Sequence, residues 1–136
     1  MALSNTDRSR RAMWQTSDPA RHWLMTDDGS RTLWDARLDE TYHSGCGAVS
    51  ESLQVYLFNS LVAERLLSNR SSQVVEYGFG TGTNFLLSAG LATATRTPLQ
   101  YVALERDLLP QEIIAGLKLT TPAGCLLPQC LRLFQF

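Results

Sequence analysis

The 136-residue sequence has few cysteines and no long apolar run, and each shortage excludes a class of protein. Its three cysteines, Cys46, Cys125 and Cys130, form neither a CxxC pair nor a Cys/His zinc spacing, which argues against a disulfide framework and a zinc site. The amino terminus lacks the apolar segment of a secretory signal, and no stretch approaches the roughly 20 apolar residues of a transmembrane helix. These absences predict a soluble cytoplasmic protein without a metal or a membrane partner.

An excess of charge of one sign is also lacking, because 12 lysines and arginines stand against 13 aspartates and glutamates. The net charge of −1 provides no overall positive field of the kind that nucleic-acid-binding domains use. A local patch stays open, since Arg8, Arg10 and Arg11 could contact RNA phosphate or belong to a solvated leader. A hydrophobic fraction of 44% suffices for the core of one small domain.

The pattern along the chain divides it into three regions. Residues 1–25 are polar and predict a poorly ordered leader, whereas residues 118–136 fit neither a helix nor a strand. Between them, the sequence predicts the following elements: a turn at Asp28-Gly29 followed by a short strand over 32–34, a β-hairpin that ends near residues 41–43, an amphipathic helix over 52–68 with its leucines in the core, a buried strand over 73–77, a helix over 83–91, a strand over 99–105 and a helix over 111–117. The strand over 73–77, the helix over 83–91 and the strand over 99–105 form a βαβ unit.

A glycine loop separates the first strand and helix of this unit, in the run E-x-G-x-G-x-G from Glu76 to Gly82. Glycines there let a ligand approach the main chain, and the N–H groups at the helix start can donate hydrogen bonds to it. A dinucleotide site uses GxGxxG and places a pyrophosphate at the helix start. An acidic residue two positions before the first glycine suits instead the amino group and the sulfonium of S-adenosylmethionine.

A second acidic residue, Glu105, ends the next predicted strand, 23 residues after Gly82. A carboxylate at that position can accept hydrogen bonds from both hydroxyls of a ribose. The alternative interpretation is that the glycine run is only a tight turn and that both glutamates are solvated strand ends.

Several segments resemble the MnmC-like methyltransferase domain: EYGFGTGTNFLL at residues 76–87, YVALERDLLP at 101–110, DGSRTL at 28–33 and ETYHSGCGAVSES at 40–52. The resemblance covers roughly residues 26–115. It implies an α/β class I (Rossmann-like) methyltransferase fold, of which residues 26–117 hold the amino-terminal hairpin and the first βαβ portion. It also implies methyl transfer from S-adenosylmethionine to 5-aminomethyl-2-thiouridine at the wobble position of tRNA, giving the 5-methylaminomethyl form.

The resemblance assigns residues to the site. It implies that S-adenosylmethionine is the cofactor and contacts Glu76, Gly78, Gly80, Thr81, Gly82, Asn84 and Glu105. It implies further that His43, Ser44 and Glu51 border the cofactor or the amine pocket, with tRNA as the partner. For His43, a structural role as a hairpin side chain bonded to backbone is an equal alternative.

The family pattern continues beyond what this sequence offers. An adenine-contacting aspartate and a substrate motif resembling DxFLDGFAPxxNPxxW have no counterpart after Leu117, so the catalytic residues stay unknown. The resemblance therefore implies a carboxy-terminally truncated form with impaired activity, in which the following strand residues lack cover: Val74, Val75, Val102 and Leu104. Two alternatives stay open: a non-catalytic remnant, and a Rossmann-type nucleotide-dependent oxidoreductase.

Overall fold

A computed structural model describes residues 5–119, which form a mixed α/β fold with two sheets. The antiparallel sheet has the strand order β1 (Met13–Gln15), β2 (Arg21–Met25), β3 (Arg31–Asp35) and β4 (Glu40–Thr41). The parallel sheet pairs β5 (Ser72–Tyr77) with β6 (Leu99–Leu104). The helices are α1 (Asn5–Ser9), α2 (Ala48–Glu51), a π-helical segment (Ser52–Phe58), α3 (Val62–Leu67), α4 (Thr83–Thr95) and α5 (Gln111–Gly116). No helix within this part of the chain is long and apolar enough to span a bilayer.

The second half of the predicted leader carries strands β1 and β2 of the antiparallel sheet, so the expectation of poor order is wrong for residues 13–25. Trp14 on β1 lies opposite Trp23 on β2, and such cross-strand aromatic pairs stabilise a sheet. The indole N–H of Trp23 also donates a hydrogen bond of 3.0 Å to the carbonyl oxygen of Ile113 in α5. The strands were not predicted from the sequence because they are short and because Trp23 is anchored by a contact 90 residues away. Residues 1–4 of the predicted leader lie outside the described residues.

The predicted turn at Asp28-Gly29 and the hairpin that ends near residues 41–43 are confirmed, because the turn leads into β3, and β3 pairs with β4. The turn also joins β3 to β2, an antiparallel partner that was not predicted. The Asp28 carboxylate accepts hydrogen bonds from the backbone N–H groups of Ser30 and Ser50, which ties the turn to the start of the helical region. Burial opposes ionisation of Asp28, but hydrogen bonds outweigh it and lower the pKa of this carboxyl. The next hairpin closes with β4, which ends at Thr41.

The predicted single helix over residues 52–68 is wrong, because the π-helical segment and α3 divide this stretch, and α2 lies before it. Leu61 breaks it by adopting a left-handed φ of +67°. A π-helical turn also contains more residues than an α-helical turn, which shifts the apolar stripe out of register. Leu57 and Leu66 are consequently buried as expected, whereas Phe58 and Leu61 are more than half exposed.

The predicted βαβ unit is confirmed, since α4 connects the parallel strands β5 and β6. Helix α4 contacts β5 through the hydrogen bond from Asn84 to Glu76 and β6 through the rings of Phe85 and Tyr101. It also carries buried Phe85, Leu86 and Leu87. The opposite face is open, so the prediction that residues 73–77 form a fully buried strand is wrong. The large side chains on this open face, from both strands, are between 45% and 83% exposed: Val75, Tyr77, Val102 and Leu104. Parallel sheets usually bury both faces. Of the residues expected to lack cover, Val75, Val102 and Leu104 are exposed, whereas Val74 is half-buried on the other face of the sheet.

The main core lies between β3, α4 and α5. Its fully or almost fully buried members are Leu33, Leu86, Leu109, Ile113, Ile114, Leu117 and Leu119. The aromatic rings of Tyr42 and Phe79 pack against this cluster from the loop after β4 and from the glycine loop. The core therefore connects the antiparallel sheet to the loop that follows β5. Beyond Leu119, the predicted atypical tail lies outside the described residues.

Candidate functional site

The glycine loop connects β5 to α4 at the carboxyl end of the parallel strands. Gly78, Gly80 and Gly82 all have positive φ values, of +87°, +53° and +74°. A Cβ on Gly82 would lie 2.7 Å from the ring of Phe79, so a larger residue would displace that ring. Helix α4 begins at Gly82 without a side-chain cap, which leaves its first turn open to a ligand that accepts hydrogen bonds.

Glu105 follows β6 and reaches back to the glycine loop. Its Oε2 accepts a hydrogen bond of 3.0 Å from the backbone N–H of Gly80. Its Oε1 accepts hydrogen bonds from the N–H groups of Arg106 at 2.8 Å and Asp107 at 2.9 Å. These donors, with that of Asp107 foremost, lower the pKa of Glu105, so its carboxylate is anionic at neutral pH. The structure thus brings together Gly80 and Glu105, which stand 25 positions apart in the sequence.

Glu76 stands at the base of the same loop with both carboxylate oxygens occupied. Its Oε1 accepts a hydrogen bond of 2.8 Å from the side-chain amide of Asn84, and its Oε2 accepts one of 2.9 Å from the hydroxyl of Tyr101. Burial raises the pKa of Glu76, while these two hydrogen bonds favour the charged form. The side-chain oxygen of Asn84 is buried without a partner among the described residues. It is an acceptor that a ligand could use.

Tyr101 is a site residue that the sequence analysis missed. It pairs in register with Val74, which precedes Glu76 by two positions on β5. Because side chains two apart on a strand share a face, parallel pairing alone places the Tyr101 hydroxyl on the face that carries Glu76. The strand alternation was therefore a signal that could have found it.

Thr81 contributes less to the site than its position in the loop suggests. Its side chain is 1% exposed, and its hydroxyl lies 2.8 Å from the hydroxyl of Thr83. The hydroxyl thus faces the interior, and we expect Thr81 to reach a ligand only through its backbone.

The loop after β4 carries His43 and Ser44, and a hydrogen bond links it to Glu51 at the end of α2. The N–H of Ser44 donates a hydrogen bond of 2.8 Å to Oε2 of Glu51. Both the backbone N–H and the ring Nδ1 of His43 lie 3.1 Å from the hydroxyl of Thr32, which fixes the imidazole on the sheet through a side chain. Burial lowers the pKa of His43, so its ring is neutral at pH 7. These contacts are structural and leave the predicted pocket role open.

Tyr42 connects that loop to the glycine loop, and the sequence analysis did not single it out. Its backbone N–H donates to the carbonyl oxygen of Leu33 at 2.9 Å, which holds it beside β3. A Cβ on Gly80 would lie 3.4 Å from Cδ1 of Tyr42, so the ring stands beside the glycine loop with room for about one added carbon. The segment with His43 and Ser44 therefore begins at the border of the glycine loop.

A cavity of about 420 Å³ lies along β5, between the glycine loop and the π-helical segment. Its wall includes Tyr56, Glu76, Gly78, Asn84 and Tyr101. The wall thus combines the carboxylate of Glu76 with aromatic rings. Among residues 5–119, no cluster of three or more histidine, cysteine, aspartate or glutamate side chains could hold a metal ion.

The chain is similar to bifunctional proteins named MnmC. It shares 30% identity over 119 residues with the tRNA 5-methylaminomethyl-2-thiouridine biosynthesis bifunctional protein MnmC of Cupriavidus metallidurans, and the match covers 85% of this chain and 17% of that protein. With the protein of the same name from Paraburkholderia xenovorans it shares 31% over 93 residues, covering 66% and 14%. The crystal structure of MNMC2 from Aquifex aeolicus matches with a TM-score of 0.62 at 25% identity, covering 72% of this chain and 33% of that one.

The chain carries an MnmC-like domain. The resemblance based on the glycine run and the flanking segments is thereby confirmed. This MnmC-like chain spans less than a fifth of the length of either bifunctional relative. No protein-family model matches it.

Proposed function

We propose that this MnmC-like chain is the S-adenosylmethionine-binding part of a class I (Rossmann-like) methyltransferase. The observation that carries the proposal is the 3.0 Å hydrogen bond from the N–H of Gly80 to Glu105. It joins the loops after β5 and β6 at the carboxyl end of two parallel strands. In open α/β sheets, ligands bind at this edge.

The residues at this edge fit such a cofactor. Gly78 has open space where a Cβ would stand, which permits close approach to the backbone. The anionic carboxylate of Glu105 can accept hydrogen bonds from ribose hydroxyls. Glu76 places a second carboxylate near the loop, which favours the positive charges of the amino group and the sulfonium. Gly80, Gly82, the backbone of Thr81 and the unpartnered oxygen of Asn84 complete the proposed cofactor contacts.

The names of the relatives point to the acceptor, because they describe biosynthesis of 5-methylaminomethyl-2-thiouridine in tRNA. We propose the primary amine of 5-aminomethyl-2-thiouridine as the nucleophile, tRNA as the partner and the cytoplasm as the location. S-adenosylmethionine supplies the electrophilic methyl group when bound. The chain has to hold the amine unprotonated, in line with the sulfonium and away from water.

We also propose that His43, Ser44 and Glu51 border the amine pocket. The position of Tyr42 beside Gly80 supports this, because it brings the start of their loop close to the proposed cofactor loop. The neutral imidazole of His43 could accept a proton from the ammonium form of the substrate. Replacement of His43 by Gln should then slow methyl transfer to modified tRNA without changing cofactor affinity, whereas a joint loss of both would indicate a structural role.

Calorimetric titration of the purified chain with S-adenosylmethionine tests the cofactor proposal. We expect binding to the wild type, and a loss of about tenfold or more in Glu105→Gln, since hydrogen bonds to a charged group contribute roughly 1.5 to 3 kcal/mol. Glu40→Gln is the matched control, because Glu40 is an exposed glutamate on β4. A folded wild-type chain that binds no S-adenosylmethionine would sink the proposal and support a non-catalytic remnant. Preferential binding of NAD would support the nucleotide-dependent oxidoreductase.

A further inference from the structure

A cluster of charged side chains lies between the antiparallel sheet and the loop after β6. Arg21 on β2 is 7% exposed, and its Nε donates a hydrogen bond of 3.0 Å to the buried carboxylate of Asp35 on β3. Its Nη2 donates another of 2.8 Å to Asp107. Asp18 also lies within ion-pair distance of Arg21, at 3.4 Å. Arg21 is therefore fixed by the sheet and extends one donor out of it, towards Asp107.

Asp107 connects this cluster to the glycine loop through Glu105. The backbone N–H of Asp107 donates to Oε1 of Glu105 at 2.9 Å, and Oε2 of Glu105 accepts from the N–H of Gly80 at 3.0 Å. The contacts run without interruption from Arg21 through Asp107 and Glu105 to Gly80. Arg21 thus touches none of the proposed cofactor contacts directly but is linked to two of them.

The exposure of Asp107 indicates that its ion pair with Arg21 affects the position of the loop more than the stability of the fold. The side chain of Asp107 is 71% exposed, and ion pairs with such an exposed partner add little to the free energy of unfolding. The guanidinium of Arg21, in contrast, is held rigidly by Asp35 on the other side. A pair of this kind constrains a loop more than it stabilises a fold.

We propose that Arg21 and Asp107 are positioning residues that hold the loop after β6 so that the carboxylate of Glu105 lies against the N–H of Gly80. The expected consequence, tighter cofactor binding, rests on the proposed function. Its geometric part concerns only the contact between Glu105 and Gly80, which exists without a ligand. The two can therefore be tested apart.

The experiment compares Asp107→Asn with Asp27→Asn in the full chain. Asp27 is a close match, because its side chain is 62% exposed and pairs with the largely buried Arg11. Arg11 in turn donates to the carbonyl oxygen of Gly45 rather than to Glu105. The first measurement is amide hydrogen exchange at Gly80 and Asp107 by NMR. The second is the affinity for S-adenosylmethionine, measured in the wild-type and in the Glu105→Gln background.

In Asp107→Asn we expect the Gly80 amide to exchange about fivefold faster or more, because local opening becomes easier when the loop loses its anchor. Affinity for S-adenosylmethionine should fall about fivefold, and this loss should vanish in the Glu105→Gln background if Asp107 acts through Glu105. Asp27→Asn should stay within about twofold of wild type in both measurements.

Unchanged exchange at Gly80 in Asp107→Asn would overturn the proposal, whatever the affinity does. A loss of affinity that persists in the Glu105→Gln background would also overturn it, because Asp107 would then act on the ligand by another route. If the wild type binds no S-adenosylmethionine but Gly80 exchanges faster in Asp107→Asn, the proposed function fails and the positioning role stands.

Discussion

The antiparallel sheet and the parallel sheet of this chain differ in how completely their side chains are covered. In the antiparallel sheet, Leu33 is fully buried and Asp35 is 2% exposed. In the parallel sheet, Tyr77 is 83% and Leu104 is 52% exposed. Since stabilisation scales with the apolar area removed from water, it is concentrated around the antiparallel sheet and α5. The proposed binding residues mostly follow the less covered sheet, so a stable part of the chain supports a binding edge that adds little stability of its own.

The sharpest test of this difference replaces one leucine in each sheet. Leu33→Ala should lower the free energy of unfolding by about 3 kcal/mol, because it leaves a cavity in the main core. Leu104→Ala, on the open face, should lower it by under about 1 kcal/mol, since half of its surface is already in water. Urea unfolding followed by far-ultraviolet circular dichroism measures both. Equal losses would show that the open face is covered in solution.

The buried ion pair should give the next largest effect. Asp35→Asn leaves the guanidinium of Arg21 without its buried anion and should cost about 2 kcal/mol, less than the roughly 3 to 5 kcal/mol of fully buried pairs, because Arg37 on the other side is half exposed. Asp27→Asn, which breaks a more exposed pair, should cost under about 1 kcal/mol. Urea titrations at pH 7 measure both changes in the free energy of unfolding. A smaller loss of stability in Asp35→Asn than in Asp27→Asn would contradict the prediction that the buried ion pair contributes more.

The same carboxylate predicts how stability depends on pH. Hydrogen bonds from Arg37 and Arg21 lower the pKa of Asp35 in the folded chain despite its burial. The pKa of an unfolded aspartate is about 4, so the contribution of Asp35 to the free energy of unfolding is complete above that pH. This contribution is lost as the pH falls below it. Wild-type stability should therefore decline more steeply below about pH 4 than that of Asp35→Asn. Parallel slopes in acid titrations of the two proteins would argue against the pair.

A smaller loss is expected from overpacking at the contact between the sheet and α5. A Cβ on Gly116 would lie 2.1 Å from the ring of Trp23, so Gly116→Ala should cost about 1 to 2 kcal/mol. Combining it with Trp23→Phe, which shortens the ring, should recover part of this cost in a double-mutant cycle. Purely additive effects in thermal unfolding would mean that the ring and the helix are apart.

The smallest effect is expected on the open face. Tyr77→Ser should change the free energy of unfolding by less than about 0.5 kcal/mol, as for other exposed positions. It should also reduce any concentration-dependent association, because it removes the most exposed large apolar side chain of the parallel sheet. Sedimentation velocity measures the association. A stability loss above about 1 kcal/mol would indicate that Tyr77 is packed against another surface.

Local patterns predicted the parallel part of the fold more accurately than the rest. Strands β5 and β6 are short runs of strand-forming residues bounded by polar or turn residues, and α4 follows the glycines at once, so their limits were predictable within a few residues. Strands β1 and β2 were not, because Trp23 gains its partners only through tertiary contacts with β1 and α5. The left-handed Leu61 escaped for the same reason, since no local preference of leucine favours that conformation.

The site shows the same limit. The types and spacing of Glu76, the glycines and Glu105 are sufficient on their own to indicate a ligand loop. The hydrogen bond between Glu105 and Gly80 could not be predicted, because it depends on the backbone path of two loops. The contribution of Arg21 was equally hidden, since it joins residues separated by 86 positions.

The positions of the tryptophans make their intrinsic fluorescence a probe of one sheet. All three, Trp14, Trp23 and Trp34, lie in the antiparallel sheet, whereas Tyr77 and Tyr101 lie in the parallel sheet. Indole emission excited at the red edge of absorbance therefore reports on one sheet alone. If the two sheets melt at different denaturant concentrations, the emission curve and the circular dichroism curve will separate, and their gap will measure how strongly the two halves of the chain cooperate.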